Sequence, residues 1–315
     1  MTPDRFESGP LVECAPNFSE GRDRGVVEAI AAAIESPGAR VLDVTLDPDH
    51  NRSVITFAGR PEAVRDAAVR AAVEAAARID LRRHDGVHPR IGAMDVLPFV
   101  PWRGAGMAEC ASLAVETAGL IWRLAGVPSY LYEYAARRPD RRNLADVRRG
   151  QFEGLLEAAT RDPARAPDIG GPALHASAGA IAVGAREFLI AFNVNLASAD
   201  LTAARDIARR IRESTGGLPN VKALGLELRT EGLTQVSVNL TDFRVTSIRT
   251  VFDAIRGLAA QRGIGVKESE LIGLAPRAAL DEATALHAGI RGFHPKLILE
   301  NRLASLNWDF PCSSP

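Results

Sequence analysis

The stretch Asp80-Leu81-Arg82-Arg83-His84-Asp85-Gly86-Val87-His88-Pro89-Arg90-Ile91-Gly92-Ala93-Met94-Asp95 gathers two imidazoles, three arginines and the breakers Gly86 and Pro89 beside an apolar strand candidate. No other part of the chain packs ionisable groups so densely against Gly and Pro. Histidine alone changes charge near neutral pH without special tuning, so acid/base chemistry is the first expectation here. Two other readings compete. His84 and His88 are four residues apart, a spacing that suits a metal when both rings project from one helix face. However, Asp85-Gly86 is a turn signal, Pro89 biases His88 away from the α region, and no Cys-rich or carboxylate-rich partner motif accompanies them. The sequence therefore predicts no metal. The plainer alternative is a solvated arginine face with surface histidines.

Composition narrows the class. A net charge of −1 with 46% hydrophobic residues leaves no electrostatic footprint for nucleic acid. No apolar run reaches the ~18 residues a membrane helix needs. Cys14, Cys110 and Cys312 are odd in number and far apart, which fits a reducing cytoplasm and argues against a disulfide framework. Met1–Glu7 is polar and of mixed charge, unlike a signal peptide.

The elements around the histidines read as β-α-β-β-α-β. Strands are expected at Leu11–Ala15, Arg40–Leu46, Ser53–Phe57 and Met94–Val100, with helices at Arg22–Glu35 and Pro61–Ile79. A helix over Met107–Leu124 and a strand over Ser129–Tyr132 follow. The same order returns later: strand Phe188–Asn195, helix Asp200–Glu213, strands Val221–Arg229 and Gln235–Leu240 across Thr230-Glu231-Gly232, helix Thr246–Gln261, strand Val266–Leu274 and helix Pro276–Ala288. The expected class is α/β (α+β), with two ferredoxin-like βαββαβ subdomains and a ligand cleft between them. The expected divisions are 1–182, 183–290 and a tail 291–315, and the Pro/Gly-rich stretch 163–172 looks like a junction.

Strand alternation places Gln235, Ser237 and Asn239 on one sheet face and Val236, Val238 and Leu240 on the other; Asn193 and Asn195 likewise lie opposite Phe192 and Val194. Amides offer donors and acceptors without net charge, which suits reading the edge of a heterocycle. A solvent-facing sheet is the alternative.

Several motifs together resemble the glutamate formimidoyltransferase family: Val12–Gly21 (VECAPNFSEG), Asp49–Val54 (DHNRSV), Arg83–Asp95 (RHDGVHPRIGAMD), Val127–Tyr132 (VPSYLY), Arg148–Glu153 (RRGQFE), Gly184–Leu196 (GAREFLIAFNVNL) and Gln235–Leu240 (QVSVNL). The likeness runs in order from about residue 11 to 282. It implies two α/β subdomains with folate bound between them. It also implies transfer of a formimino group from N-formimino-L-glutamate to tetrahydrofolate, in histidine degradation. Tetrahydrofolate is then a co-substrate, and no metal is implied. In animals the domain is fused to a cyclodeaminase, an activity expected to be absent here. The family tends to dimerise, so a homodimer is expected by resemblance.

The resemblance makes His88, in the His-Pro-Arg triplet, the catalytic residue. It maps the folate-binding segment onto Gly170, Gly171, Pro172, Ala173, Leu174, His175, Ala176, Ser177, Ala178 and Gly179. Many relatives carry proline where Ala176 stands. Within this reading one imidazole serves as base toward N5 of the folate and then as acid toward the departing amine. Asp95 orients an imidazole or pairs with the cationic formimino nitrogen. Arg52 and Arg90 grip carboxylates. Asn17, Asn51, Asn193, Gln235 and Asn239 are candidates for orienting the pterin or the transferred group, although Asn17 and Asn51 lie in turn-like segments where backbone hydrogen bonding is an equal expectation. His84 is expected to support the loop. Two rivals stand beside this reading: a folate-dependent glutamate N-formyltransferase and a non-catalytic folate-binding protein.

Overall fold

The computed structural model describes residues 9–86, 88–228 and 231–306. Met1–Glu7, Arg229 and Thr230 of the second hairpin, and Cys312 lie outside the described residues. The described chain divides into two units, one ending at Arg186 and the other beginning at Glu187.

The first unit carries strands β1 (Val12–Cys14), β2 (Asn17–Phe18), β3 (Ala39–Asp47), β4 (Arg52–Gly59), β5 (Met94–Pro101), β6 (Ser129–Glu133) and β7 (Ile181–Ala185), with helices α1 (Arg24–Ile34), α2 (Pro61–Arg78), α3 (Met107–Ala125), α4 (Leu144–Val147) and α5 (Gln151–Arg161). Asp23 caps α1 by accepting from Gly25 N and Val26 N, and Val27, Ile30 and Ile34 form its buried stripe. Pro61 opens α2, where a missing N–H does no harm. Many of its buried residues are alanine, so neighbouring helices approach closely.

Leu11–Ala15, expected as one strand, contains β1, and a further short strand, β2, follows it after Pro16. β1 and β2 both pair with β4 on one side and β5 on the other, and the chain breaks at Ala15-Pro16 because proline has no N–H for the ladder. Residues 163–172, expected as a junction, run inside the first unit. Asp168 N and Ile169 N donate to Ser129 O at 2.9 and 3.1 Å, and β7 then enters parallel between β5 and β6.

The second unit carries β8 (Ile190–Leu196), α6 (Leu201–Ile211), β9 (Val221–Leu228), β10 (Leu233–Leu240), α7 (Ile248–Ala260), β11 (Val266–Ile272), α8 (Glu282–Ala288) and α9 (Leu299–Ala304). Its sheet is antiparallel in the order β11-β8-β10-β9. Phe192, Val194, Val236 and Val238 pack with Ile207, Val251 and Ile255 into a core. The last helix of the repeat is shorter than the expected Pro276–Ala288. Pro276–Leu280 closes a turn through Ala279 N and Leu280 N on Pro276 O, and Asp281 starts a new helix by accepting from Thr284 N.

Candidate active site

Four segments of the first unit converge on one concavity of about 190 Å³, part of it open to solvent. The exit of β2 supplies Phe18 and Ser19. The β3–β4 turn supplies His50, Asn51 and Arg52. The loop before β5 supplies His84, His88 and Arg90, and β5 supplies Asp95.

The hydrogen bonds of His88 define its state. Its Nε2 lies 2.6 Å from Arg52 Nη1 and its Nδ1 lies 2.8 Å from Pro89 O. A guanidinium only donates and a carbonyl only accepts, so Nδ1 carries the proton and Nε2 presents its lone pair to Arg52. Burial, then the nearby Arg52 and Arg148 guanidinium groups and His50, hold the imidazole well below its ordinary value; its hydrogen bond to Pro89 O opposes them. His88 is therefore a neutral base at neutral pH, and a strong acid once it has taken a proton.

Arg52 is a cation at the start of β4. Among the described residues its Nε is buried without a hydrogen-bond partner. Burial, then Arg148, pushes its guanidinium down to about 10, so it stays charged at neutral pH. Arg148 reaches in from the segment between α4 and α5 and pairs with Asp95 Oδ2. The other oxygen of Asp95, Oδ1, accepts from Ile91 N at 2.7 Å. Asp95 thus ties the chain after His88 to a second cation.

The remaining groups fix the loop. Arg90 grips Glu153 of α5 in a bidentate pair, 2.7 and 3.1 Å, and donates through Nε to His84 Nδ1 at 2.9 Å. Because that nitrogen accepts, the other ring nitrogen, Nε2, donates to Asn51 O at 3.0 Å. Both nitrogens of His84 are thus engaged, which leaves no lone pair for a metal. Asn51 holds a left-handed turn position, φ +47°. Its Oδ1 accepts from Gly21 N at 3.0 Å and its Nδ2 donates to Asp85 O at 2.9 Å. The β3–β4 turn and the His84–Arg90 loop are therefore stitched together by side chains from both.

His50 sits on the same wall. Asp47 holds it twice: Oδ1 accepts from His50 N at 2.9 Å, and Oδ2 lies 2.7 Å from His50 Nδ1. Its ring centroid is 6.1 Å from that of His88.

Family models place this geometry. The formiminotransferase domain's N-terminal subdomain matches residues 11–186, and the formiminotransferase domain matches residues 191–291. The chain belongs to the formiminotransferase domain family. It is 42% identical over 295 residues to the glutamate formimidoyltransferase of Streptococcus pyogenes serotype M1, covering 93% of this chain and 98% of that one. It is 43% identical over 295 residues to the glutamate formimidoyltransferase of Thermoplasma acidophilum, covering 93% and 97%. The formimidoyltransferase-cyclodeaminase of Rattus norvegicus is 43% identical over 284 residues, covering 88% of this chain but 52% of that protein.

In this formiminotransferase-family chain the structure gathers His88, Arg52, Asn51, Arg90 and Asp95 around one cavity. Arg52 is the guanidinium among them without a carboxylate partner among the described residues, whereas Arg90 is committed to Glu153 and Asn51 to the turn. Asn17 stands beside the cavity on β2; its Nδ2 donates to Ala15 O at 3.1 Å, and its Oδ1 is buried without a partner among the described residues.

The expected folate segment has two faces. Gly171, Pro172, Ala173 and Ala176 are exposed, while Leu174, Ala178 and Gly179 are buried. His175 and Gly179 exchange backbone hydrogen bonds of 2.9 Å, and His175 Nδ1 accepts from Ala178 N at 3.0 Å and Ser177 N at 3.3 Å. Ala178 O accepts from Ala93 N at 2.9 Å, and Ala180 N donates to Ile91 O at 3.0 Å. The segment is therefore the backstop of the His88 loop. Only glycine fits at 179, where φ is +70° and a Cβ would stand 2.1 Å from Ile91 O.

Asn193, Gln235 and Asn239 lie in the second unit. Gln235 Nε2 donates to Asn195 Oδ1 at 2.9 Å and Glu270 Oε1 at 3.0 Å, and Asn193 Nδ2 reaches the same Glu270 oxygen at 3.0 Å. Asn239 is exposed. The residue reading passed over His50, Arg148 and Glu153, although the family-like motifs Asp49–Val54 and Arg148–Glu153 contain them, and over Ser19, whose Oγ donates to Gly92 O at 2.7 Å.

Proposed function

We propose that this chain transfers the formimino group of N-formimino-L-glutamate to tetrahydrofolate, releasing L-glutamate and 5-formimidoyltetrahydrofolate, a step of histidine degradation. The observation that carries the reading is a neutral, low-lying imidazole, His88, whose Nε2 shares a cavity with the guanidinium of Arg52. The names of its close relatives support the substrate pair.

The chemistry follows from the two links of His88. A carboxylate of the incoming donor offers Arg52 a stronger partner than a neutral imidazole does. Arg52 then turns to it and leaves Nε2 open. N5 of the folate attacks the formimino carbon, forming the N5–C bond as its proton passes to His88 Nε2. The tetrahedral intermediate collapses by breaking the bond to the glutamate nitrogen, which takes a proton from an imidazole of the site and leaves as an amine. The exposed residues Gly171, Pro172, Ala173 and Ala176 are assigned to folate. The family resemblance adds the proposal of a homodimer, and the few, widely spaced cysteines that of a cytoplasmic location.

One observation favours keeping N-formyl-L-glutamate as a second donor. Asp95, the carboxylate suited to a cationic amidine, is already paired with Arg148 and Ile91 N. A transfer assay with tetrahydrofolate and both donors tests the reading. A kcat/KM at least ~10-fold higher with the formimino donor, about 1.4 kcal/mol, supports it; a preference for the formyl donor assigns the alternative.

Arg52→Gln tests the carboxylate role. A charge-assisted hydrogen bond contributes about 1.5–3 kcal/mol, so KM for the donor is expected to rise roughly 10–100-fold. Removing this cation also raises His88 from its depressed position. The free enzyme's base is then lost at a higher pH, and the acidic limb of kcat/KM moves upward. An unchanged KM and an unchanged limb would refute the assignment.

A further inference from the structure

The reaction moves two protons, one off N5 and one onto the departing amine, and of the three imidazoles that line the cavity, His84 is engaged at both ring nitrogens, which leaves His50 and His88. Resting on the function proposed above, we infer that His50, backed by Asp47, is a second catalytic residue: it delivers the proton to the leaving glutamate nitrogen while His88 serves N5.

Three observations carry this. First, Asp47 grips His50 by both its backbone N–H and its ring. The backbone bond alone would shape the turn; the ring bond additionally fixes the tautomer. A carboxylate on Nδ1 leaves Nε2 as the working nitrogen and stabilises the imidazolium from which the proton is delivered, the logic of a carboxylate–histidine pair. Second, Nε2 of His50 is buried and has no hydrogen-bond partner among the described residues. A buried polar atom left unpaired costs about 1–3 kcal/mol, and the fold alone makes no use of this one. Third, His50 lines the same concavity as His88, its ring tilted 55° to it at a centroid distance of 6.1 Å. A small group seated between the rings is within reach of both.

The surroundings of the two rings are opposite in charge. His50 stands on a carboxylate, and His88 stands among Arg52, Arg148 and His50. Paired groups in contrasting environments divide acid and base work. The proton balance is simple: N5 loses H⁺ to His88, protonated His50 gives H⁺ to the glutamate nitrogen as the C–N bond breaks, and solvent exchange resets both rings between turnovers.

The test compares wild type, His50→Gln and Asp47→Asn, with thermal melting to verify the fold, on two donors. One is N-formimino-L-glutamate. The other is N-formimino-4-aminobenzoate, whose leaving arylamine is weakly basic and departs with little help from an acid. His50→Gln is expected to lower kcat with the glutamate donor by ~10²-fold, Asp47→Asn by less, and both losses are expected to shrink several-fold or more with the arylamine donor. A folded His50→Gln enzyme with kcat within about twofold of wild type, or with the same loss on both donors, overturns the assignment while the proposed function stands. If His50→Gln does not fold, Asp47→Asn decides by the same comparison of donors. Failure of the wild type to transfer from N-formimino-L-glutamate overturns both.

Discussion

His88→Asn is expected to lower kcat by about 10²–10⁴-fold, the range that a positioned acid/base contributes, while the protein keeps its fold. The second half of that expectation comes from the small number of links His88 makes. Its ring engages Arg52 Nη1 and Pro89 O, and Asn retains a donor and an acceptor for them. The loop itself is held elsewhere, by the Arg90–Glu153 pair, the His84–Asn51 hydrogen bond and Asp95 on Ile91 N. Steady-state kinetics and thermal melting on the same preparation check both halves. In wild type, burial and two flanking guanidinium groups depress His88, so the base is still unprotonated below pH 6.5, its ordinary value. The plateau of kcat/KM should therefore extend into mildly acidic pH. A folded His88→Asn enzyme with near-normal turnover would remove His88 from the chemistry.

The legible parts of this fold are those where local pattern and tertiary role agree. The strict alternation of Gln235–Leu240 matches β10, whose Val236 and Val238 enter the core while Ser237 pairs opposite Asn193. Pro61 and the alanine run give α2 almost to the residue. β7 carried no such signal. Ile181-Ala182-Val183-Gly184-Ala185 is small, short and buried at every position, as expected of a parallel strand covered on both faces, where alternation vanishes. At the site, the segment with His84 and His88 is visible because histidines beside breakers and arginines are conspicuous in one dimension, whereas the choice of His88 between the two rests on the family resemblance. Arg148 and Asp95 are 53 residues apart, and Arg90 and Glu153 are 63 apart. No local pattern announces such pairs; only the folded geometry shows that one arginine is committed and another is open. His50 escaped notice for a related reason. Its meaning lies in a turn that lets the Asp47 carboxylate reach both its backbone and its ring, and in the proximity of a second histidine contributed by another segment.

Asp95→Ala is expected to be the most destabilising single change in the first unit's site. Asp95 is buried, and its two oxygens are divided between the Arg148 guanidinium and Ile91 N. Removing one member of a buried ion pair leaves the other charge uncompensated, at a cost of about 3–5 kcal/mol. The danger falls on Arg148, whose Nε is already buried without a partner among the described residues. At roughly 2–4 °C per kcal/mol for a unit of this size, the melting of the first unit should fall by about 10 °C. Two further variants divide the effect. Asp95→Asn keeps an acceptor for Ile91 N but removes the charge, so it should retain the loop geometry and lose only part of the stability. Combining Asp95→Asn with Arg148→Gln removes both charges, and its destabilisation should be smaller than the sum of the single changes, because each single variant strands a partner that the double variant does not. Simple additivity would show that the Asp95–Arg148 pair is not coupled in the folded protein. Activity should follow the loop more closely than the charge. Ile91 is three residues from His88, and a carboxylate that anchors its N–H holds the imidazole in place, so Asp95→Ala should lower kcat even at temperatures where the protein is fully folded, with Asp95→Asn falling between it and wild type.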